Sequence, residues 1–146
     1  MNVRRVLLVE DEPDIQTIIR LSLTLLGEWD VLVAHSGVDV VPLAEQTVPD
    51  LILLDVMLPE IDGYQAYTRL RQNPRTAAIP VIFISAKAQQ EEIAYGLSLG
   101  AIGYITKPFD PLTLSEQIHQ IVQRHAHYDV GAVGRQTLDE PVAIVP

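Results

Sequence analysis

Short apolar runs recur along the chain and alternate with stretches of helical periodicity. Three runs, at residues 6–9, 51–54 and 81–84, are apolar at every position. Runs of this kind, instead of alternating ones, are typical of strands in a parallel sheet that helices cover on both faces. Weaker strand patterns at residues 30–34 and 103–105 bring the predicted number of strands to five.

Helical patterns lie between the predicted strands. Pro13 suits the first position of the first helix, and Gly27 suits its end. The second helix is predicted within residues 37–46, where Pro42 removes a backbone donor and predicts a kink or a late start. The inward face of the first helix is predicted to carry Ile15, Ile18, Ile19, Ser22, Leu25 and Leu26.

Three further helices follow the same logic. Asp62 and Gly63 are predicted to open a helix that continues through Leu70, and a fourth helix runs from about residue 89 to 99 before Gly100. The pair Asp110-Pro111 predicts the start of the fifth helix. Its inward face is predicted to carry Leu114, Ile118, Ile121 and Val122.

A strand followed by a helix, repeated five times, predicts an α/β fold. Right-handed crossovers then give one parallel sheet with helices on both sides, the doubly wound class. The pattern ends near Arg124, so we predict a domain over residues 1–125 and a C-terminal tail or shortened linker over residues 126–146. The apolar stretch at 142–145 could pack on the domain or on a partner chain, although a flexible tail is favoured.

Composition narrows the function. The 146 residues suit one domain, and the net charge of −9 argues against direct nucleic-acid binding, which needs a basic face. The absence of cysteine excludes disulfides, cysteine zinc sites and thiol catalysis. No apolar run approaches the roughly 20 residues of a membrane helix, and acidic residues interrupt the run at 6–9 before it resembles a signal peptide. We therefore expect a cytoplasmic protein without membrane contact.

Polar residues with complementary chemistry follow four of the five predicted strands. Glu10 and Asp11 follow the first strand, Asp55 the third, and Ser85 the fourth, while Lys107 comes shortly after the fifth. The carboxyl ends of parallel strands share one edge, where such sheets bind ligands. These side chains are therefore predicted to meet in one crevice.

Three carboxylates in one crevice require a cation or bound protons. Oxygen ligands without histidine or cysteine favour a hard ion, Mg²⁺ or Mn²⁺. The ammonium of Lys107 and the hydroxyl of Ser85 suit the oxygens of a phosphoryl group. Taken singly, each residue has a plainer interpretation, because Asp11 or Glu12 could cap a helix and Lys107 or Ser85 could simply be solvated.

Four motifs together resemble the receiver domains of two-component response regulators, the family that includes the chemotaxis response regulator. The resemblance covers about residues 4–124 and implies a flavodoxin-like, five-stranded sheet in the order 2-1-3-4-5, flanked by five helices. The motifs are VEDEP at 9–13, LLDVMLP at 53–59, ISAK at 84–87 and GYITKPF at 103–109.

The resemblance implies a role for each residue of the crevice. Asp55 would be the phosphoacceptor, and Mg²⁺ would be held by Asp11, Asp55 and the backbone carbonyl of Met57. Glu10, which stands where aspartate is more usual, would act through a metal-bound water. Lys107 would pair with the phosphoryl oxygens.

The same resemblance implies a switch and a cis peptide bond. Ser85, which stands where threonine is common, would turn to the phosphoryl group, and Tyr104 would turn inward behind it. The bond between Lys107 and Pro108 is expected to be cis, a geometry found almost only before proline.

The resemblance further implies the partners. A histidine kinase or phosphotransfer protein would donate the phosphoryl group, a downstream protein would bind the switched domain, and a homodimer is possible. No enzymatic activity is expected beyond self-catalysed phosphotransfer and autodephosphorylation. The short segment after the fifth helix favours a stand-alone protein over a receiver cut from a longer multidomain regulator.

Two alternatives remain open. A phosphorylation-independent pseudo-receiver would have the same fold, although such modules usually lack the acid pair, the aspartate or the lysine. A haloacid-dehalogenase-type phosphatase also uses an aspartate nucleophile with Mg²⁺. That class carries a second acid two residues later, where this chain has Met57.

Overall fold

A computed structural model of the chain describes the backbone of residues 3–131 and the side chains of residues 3–126. Five strands form one parallel sheet in the order 2-1-3-4-5, numbered along the chain, which confirms the predicted topology. The strands are β1 (Arg5–Val9), β2 (Asp30–Ala34), β3 (Leu51–Asp55), β4 (Val81–Ser85) and β5 (Gly103–Thr106).

Helices cover both faces of the sheet. One hydrophobic cluster joins the sheet to the second, third and fourth helices, and the other joins it to the first and fifth. The three central strands β1, β3 and β4 are buried almost throughout, as their apolar runs predict. The helices are α1 (Pro13–Leu21), α2 (Val40–Thr47), α3 (Gly63–Gln72), α4 (Gln90–Ser98) and α5 (Leu114–Gly131).

The end of the first helix differs from the prediction. Beyond α1 the chain continues as a π-helical segment, Ser22–Leu26. This helical segment ends before Gly27, as expected. The wider π turn rotates the apolar pattern, so Leu23 becomes fully buried while Leu25 and Leu26 are 73% and 52% exposed. The predicted inward face is therefore right for Ile19 and Ser22 but wrong for Leu25 and Leu26. Ile18 is also exposed, which departs from that prediction.

Proline and aspartate explain two helix starts. A 3₁₀ turn at Gly37–Asp39 precedes α2, so Pro42 falls in the first turn, where its missing N–H costs no helical hydrogen bond. This is the late start that the sequence predicts. The start predicted for α5 at Asp110 is wrong. The Asp110 carboxylate accepts a hydrogen bond from the Leu112 N–H at 2.9 Å and closes a turn, and the helix begins at Leu114.

The starts of α3 and the end of α4 agree with prediction. Asp62 and Gln65 form a reciprocal capping box, with the Gln65 N–H donating to Asp62 Oδ1 at 2.9 Å. Gly100, with a φ of +118°, follows α4 in a conformation that favours glycine.

The fifth helix is longer than the predicted domain boundary implies. α5 continues to Gly131, past the boundary predicted at residue 125, while its inward residues Leu114, Ile118, Ile121 and Val122 are buried as expected. The predicted tail from 132 onwards, with its apolar stretch at 142–145, lies outside the described residues. Within the described part of the chain, no helix is both long and apolar enough to cross a membrane.

Candidate functional site

The sheet delivers the predicted site residues to one edge. Asp55 is the last residue of β3 and pairs in register with Ile84, and Ser85 ends β4 opposite Thr106 of β5. Glu10 follows β1 directly, and its backbone N–H donates to the Ala34 carbonyl at 3.1 Å. The carboxyl ends of all these strands therefore frame one crevice, as the sequence predicts.

Three carboxylates converge in this crevice. Glu10, Asp11 and Asp55 each offer an oxygen, and these oxygens all lie within 4.8 Å of one another. Glu10 is fully buried and Asp55 is only 2% exposed, whereas Asp11 is exposed to solvent. Two carboxylates of the cluster, Glu10 and Asp55, are thus buried, and the third, Asp11, is open to solvent at its rim.

Lys107 joins the two buried carboxylates. Its Nζ donates to Glu10 Oε1 at 2.9 Å and to Asp55 Oδ2 at 3.0 Å. The remaining oxygens are also bonded, because Asp55 Oδ1 accepts from the Met57 N–H at 3.0 Å and Glu10 Oε2 from the Glu12 N–H at 3.1 Å. The direct pair between Lys107 and Glu10 is a contact that the sequence does not reveal.

Burial and neighbouring charges shift the pKa values of Glu10 and Lys107. Burial raises the pKa of Glu10 above its ordinary value, and the hydrogen bond from Lys107 offsets part of that rise. For Lys107, burial lowers the pKa, but the hydrogen bonds and charges of Glu10 and Asp55 outweigh it, so the pKa is raised. Lys107 therefore remains protonated at neutral pH.

The donor set fits a hard divalent cation. Three carboxylates face a single ammonium, which leaves two negative charges uncompensated when all three acids are ionised. The donors are carboxylate oxygens, the ligands that Mg²⁺ prefers. A cavity of about 420 Å³ reaches this cluster, with Asp11, Met57 and Lys87 among its lining residues. The hydrogen bond from the Met57 N–H to Asp55 Oδ1 places the backbone of Met57 beside the acids.

The predicted switch residues are linked through Lys87. The fully buried Ser85 accepts a hydrogen bond at its Oγ from the Lys87 N–H at 3.1 Å. The Tyr104 hydroxyl donates to the Lys87 carbonyl at 2.8 Å, and its ring is fully buried against Phe83. Burial also raises the pKa of Tyr104. The Tyr104 ring thus lies inward in this structure.

Two other features bear on the crevice. The Lys107-Pro108 peptide bond is cis, as predicted. Gly63 opens α3 against β3, and a Cβ there would overlap the Asp55 carbonyl and the Val56 backbone. Glycine therefore lets the helix approach the strand end that carries Asp55.

Sequence reasoning missed the residues around Lys87. Lys87 pairs with Glu92 of α4, and Glu92 in turn accepts a hydrogen bond from Tyr64 of α3, so these contacts join residues far apart in the sequence. The one available signal was the position of Lys87, two residues beyond a strand end that carries a site residue.

Comparison with known proteins gives a consistent result. The family model for the response regulator receiver domain matches residues 6–119. The transcriptional regulator RpaA of Synechocystis is 36% identical over 143 residues, which covers 97% of this chain but 59% of RpaA. Protein PilH of Pseudomonas aeruginosa is 37% identical over 118 residues, 81% of this chain and 97% of PilH.

Solved structures agree. A response regulator from Chloroflexus aurantiacus superimposes with a TM-score of 0.75 at 31% identity, covering 84% of this chain and 100% of that one. With the strand order 2-1-3-4-5 and the family model spanning most of the chain, the chain belongs to the receiver-domain family of two-component response regulators.

Proposed function

We propose that this receiver domain accepts a phosphoryl group on the carboxylate of Asp55. The observation that carries the proposal is the setting of that carboxylate. It is buried at a strand end, 3.0 Å from the ammonium of Lys107, and shares its crevice with the carboxylates of Glu10 and Asp11.

The transfer is a displacement at phosphorus. An oxygen of Asp55 attacks the phosphoryl group of a phosphohistidine on a kinase or phosphotransfer protein, the new O–P bond forms, and the N–P bond breaks. The imidazole leaves and takes up a proton from solvent. Lys107 is already protonated and stabilises the added negative charge without a proton transfer.

Asp11, Asp55 and the carbonyl of Met57 are proposed to hold Mg²⁺, with Glu10 acting through a bound water. The ion, when bound, would neutralise charge on the phosphoryl oxygens. The protein's part is to orient the Asp55 carboxylate, through the Met57 N–H and Lys107, in a crevice whose rim carries the exposed Asp11.

Ser85 and Tyr104 are proposed as the switch. If the Ser85 hydroxyl turns to a phosphoryl oxygen, the Lys87 N–H loses its present acceptor. The same residue's carbonyl accepts the Tyr104 hydroxyl, so a change at Ser85 reaches Tyr104 through one backbone unit. Phosphorylation would thereby alter the surface presented to a downstream protein.

Two outputs have support among the relatives. The chain spans 59% of RpaA, a DNA-binding regulator, which favours a receiver that works within a longer regulator. It spans 97% of PilH, which favours a receiver that acts alone through protein contacts. In either case receiver domains are signalling modules. We propose that this one works in the cytoplasm, with a downstream protein or a second copy as partner, without itself contacting nucleic acid or membrane.

Phosphotransfer from a small donor tests the proposal. The chain is incubated with acetyl phosphate and Mg²⁺, and its intact mass is followed. We expect one added phosphoryl group, which EDTA prevents and which hydroxylamine removes, as it does for an acyl phosphate. A chain that gains no mass, or gains it equally in EDTA, contradicts the proposal.

A further inference from the structure

A second lysine stands at the mouth of the crevice. Lys87 is the one cation among the seven residues that line the cavity of about 420 Å³, which it shares with Asp11 and Met57. Its side chain is 44% exposed, so the ammonium can move in solvent. Its cavity is thus shared with Asp11, the exposed carboxylate of the acidic cluster that also contains Asp55.

The backbone of Lys87 is fixed at both ends. Its N–H donates to Ser85 Oγ at 3.1 Å and its carbonyl accepts from the Tyr104 hydroxyl at 2.8 Å. The flexible four-carbon stem is therefore the part of Lys87 that is free to reorient. From this anchor beside Ser85, the ammonium can turn either toward α4 or toward the crevice.

In this structure the ammonium turns toward α4. Lys87 Nζ lies 3.6 Å from Glu92 Oε1, and the other oxygen, Glu92 Oε2, accepts a hydrogen bond from the Tyr64 hydroxyl at 2.9 Å. The Tyr64 ring packs edge-on against Phe83 and Tyr95, with centroids 5.2 Å and 4.8 Å away. The hydrogen bond from Tyr64 thus fixes the Glu92 carboxylate, and this carboxylate competes with an anion in the crevice for the ammonium of Lys87.

We infer that Lys87 contacts the phosphoryl group of the incoming donor, and that Glu92, held by Tyr64, limits how often its ammonium is available. The inference rests on the proposed phosphorylation of Asp55 and extends it to the recognition of dianionic phosphodonors. Glu92 and Tyr64 are positioning residues, since they act through Lys87.

The chemistry needs no further reactant. With acetyl phosphate, an Asp55 oxygen bonds to phosphorus, the O–P bond to acetate breaks, and acetate leaves with the bonding electrons. Lys87 forms and breaks no covalent bond; it contributes the charge of its ammonium, which gives up its pairing with Glu92. Because the ammonium is exposed, its effect should weaken as salt is added.

A double-mutant cycle tests the inference. The initial rate of mass gain with acetyl phosphate and Mg²⁺ is measured for Lys87→Gln, Glu92→Gln and the double variant. We expect Lys87→Gln to slow labelling and Glu92→Gln to speed it, each about two- to fivefold, the range that a half-exposed ion pair supports. The double variant should match Lys87→Gln, because Glu92 acts through Lys87.

Two further variants serve as controls. Glu91→Gln removes a neighbouring charge from the same first turn of α4 and should leave the rate near that of the wild type. Tyr64→Phe keeps the ring packing but loses the hydroxyl, and should speed labelling less than Glu92→Gln does. Added salt should narrow the gap between Lys87→Gln and the wild type.

The outcomes separate the two claims. Three results would show the inference to be wrong while the phosphorylation of Asp55 stands. In the first, Glu92→Gln speeds labelling as much in the Lys87→Gln background as in the wild type, and in the second, Glu91→Gln speeds it as much as Glu92→Gln does. The third such result is a Lys87→Gln variant that labels at the wild-type rate. If the wild-type chain itself takes up no phosphoryl group, the proposed function fails and this inference fails with it.

Discussion

At the scale of single residues, Lys107 organises the crevice. Its ammonium lies 2.9 Å from Glu10 and 3.0 Å from Asp55, so one charge serves two buried carboxylates. Removing one partner of a buried, hydrogen-bonded pair is costly, since the remaining charge loses both water and counter-ion. The arrangement keeps Asp55 oriented before any donor arrives.

Two tyrosines, the half-buried Tyr64 and the fully buried Tyr104, give a residue-scale prediction about pH. Burial raises the pKa of both Tyr64 and Tyr104, and the hydrogen bond to Glu92 adds to the shift of Tyr64. A raised pKa in the folded state stabilises the fold below the ordinary tyrosine pKa, and this contribution is lost as the pH rises toward the folded value. In an ultraviolet absorbance titration, Tyr64→Phe and Tyr104→Phe should each remove signal from the latest, most alkaline part of the curve.

A different result would contradict the burial argument. If either substitution removes signal near the ordinary tyrosine pKa instead, the hydroxyl concerned is solvated, and its contacts with Glu92 or Lys87 do not persist in solution.

The convergence of site residues was predictable, but several of their contacts were not. Parallel strands align their carboxyl ends, so Glu10, Asp55 and Ser85 had to share an edge once the strands were identified. Whether a long side chain reaches across that edge depends on its rotamer, and the pairing of Lys107 with Glu10 therefore emerges only from the structure. The network around Lys87 joins three elements and leaves no periodic trace in the sequence.

At the scale of elements, helix ends decide what the apolar pattern buries. The pattern correctly indicated which helices exist, and Pro42 correctly delayed α2. It failed for α1, since a regular helical period was assumed where the chain forms a π-helical turn at Ser22–Leu26. The Ser22 hydroxyl donates to the Pro111 carbonyl at 2.6 Å in this turn, a contact with a residue far along the chain that local periodicity cannot encode.

Two leucines test this element-scale account. Leu23 is fully buried and Leu25 is 73% exposed. Leu23→Ala should lower the free energy of unfolding by about 2–5 kcal/mol, because it leaves a cavity. Leu25→Ala should change it by no more than about 0.5 kcal/mol. Denaturant unfolding of the two variants measures both values. A larger loss of unfolding free energy for Leu25→Ala than for Leu23→Ala would contradict the π-helical turn and favour a regular helical register.

At the scale of the whole molecule, the helices packed on both faces of the sheet fix the strand ends that form the crevice. Every central strand is packed on both sides, and the strand ends that carry Glu10, Asp55 and Ser85 are fixed by this packing. A cation bound by such a preformed group stabilises the folded chain over the unfolded one.

Thermal unfolding in Mg²⁺ measures that linkage. We expect the Tm of the wild-type chain to rise with Mg²⁺, by the equivalent of about 2.7 kcal/mol at about 100 times the Kd. Asp11→Asn should remove most of the rise. Glu12→Gln, an exposed neighbour whose side chain makes no capping hydrogen bond, should retain it. A Tm that ignores Mg²⁺, or an Asp11→Asn variant that responds like the wild type, would argue against the proposed metal site.

The central claim is that Asp55 is the residue that takes the phosphoryl group, and a substitution there tests it most directly. Wild type, Asp55→Asn and Asp62→Asn are incubated with acetyl phosphate and Mg²⁺ and weighed by intact mass spectrometry. Asp62 lines the cavity that reaches Asp11 of the acidic cluster, and asparagine can replace it as a helix cap, so it is a matched control.

We predict one added phosphoryl group on the wild type and on Asp62→Asn, and none on Asp55→Asn. Equal labelling of Asp55→Asn would place the phosphoryl group elsewhere. A wild-type chain that remains unlabelled would make this domain a receiver fold that signals without phosphorylation.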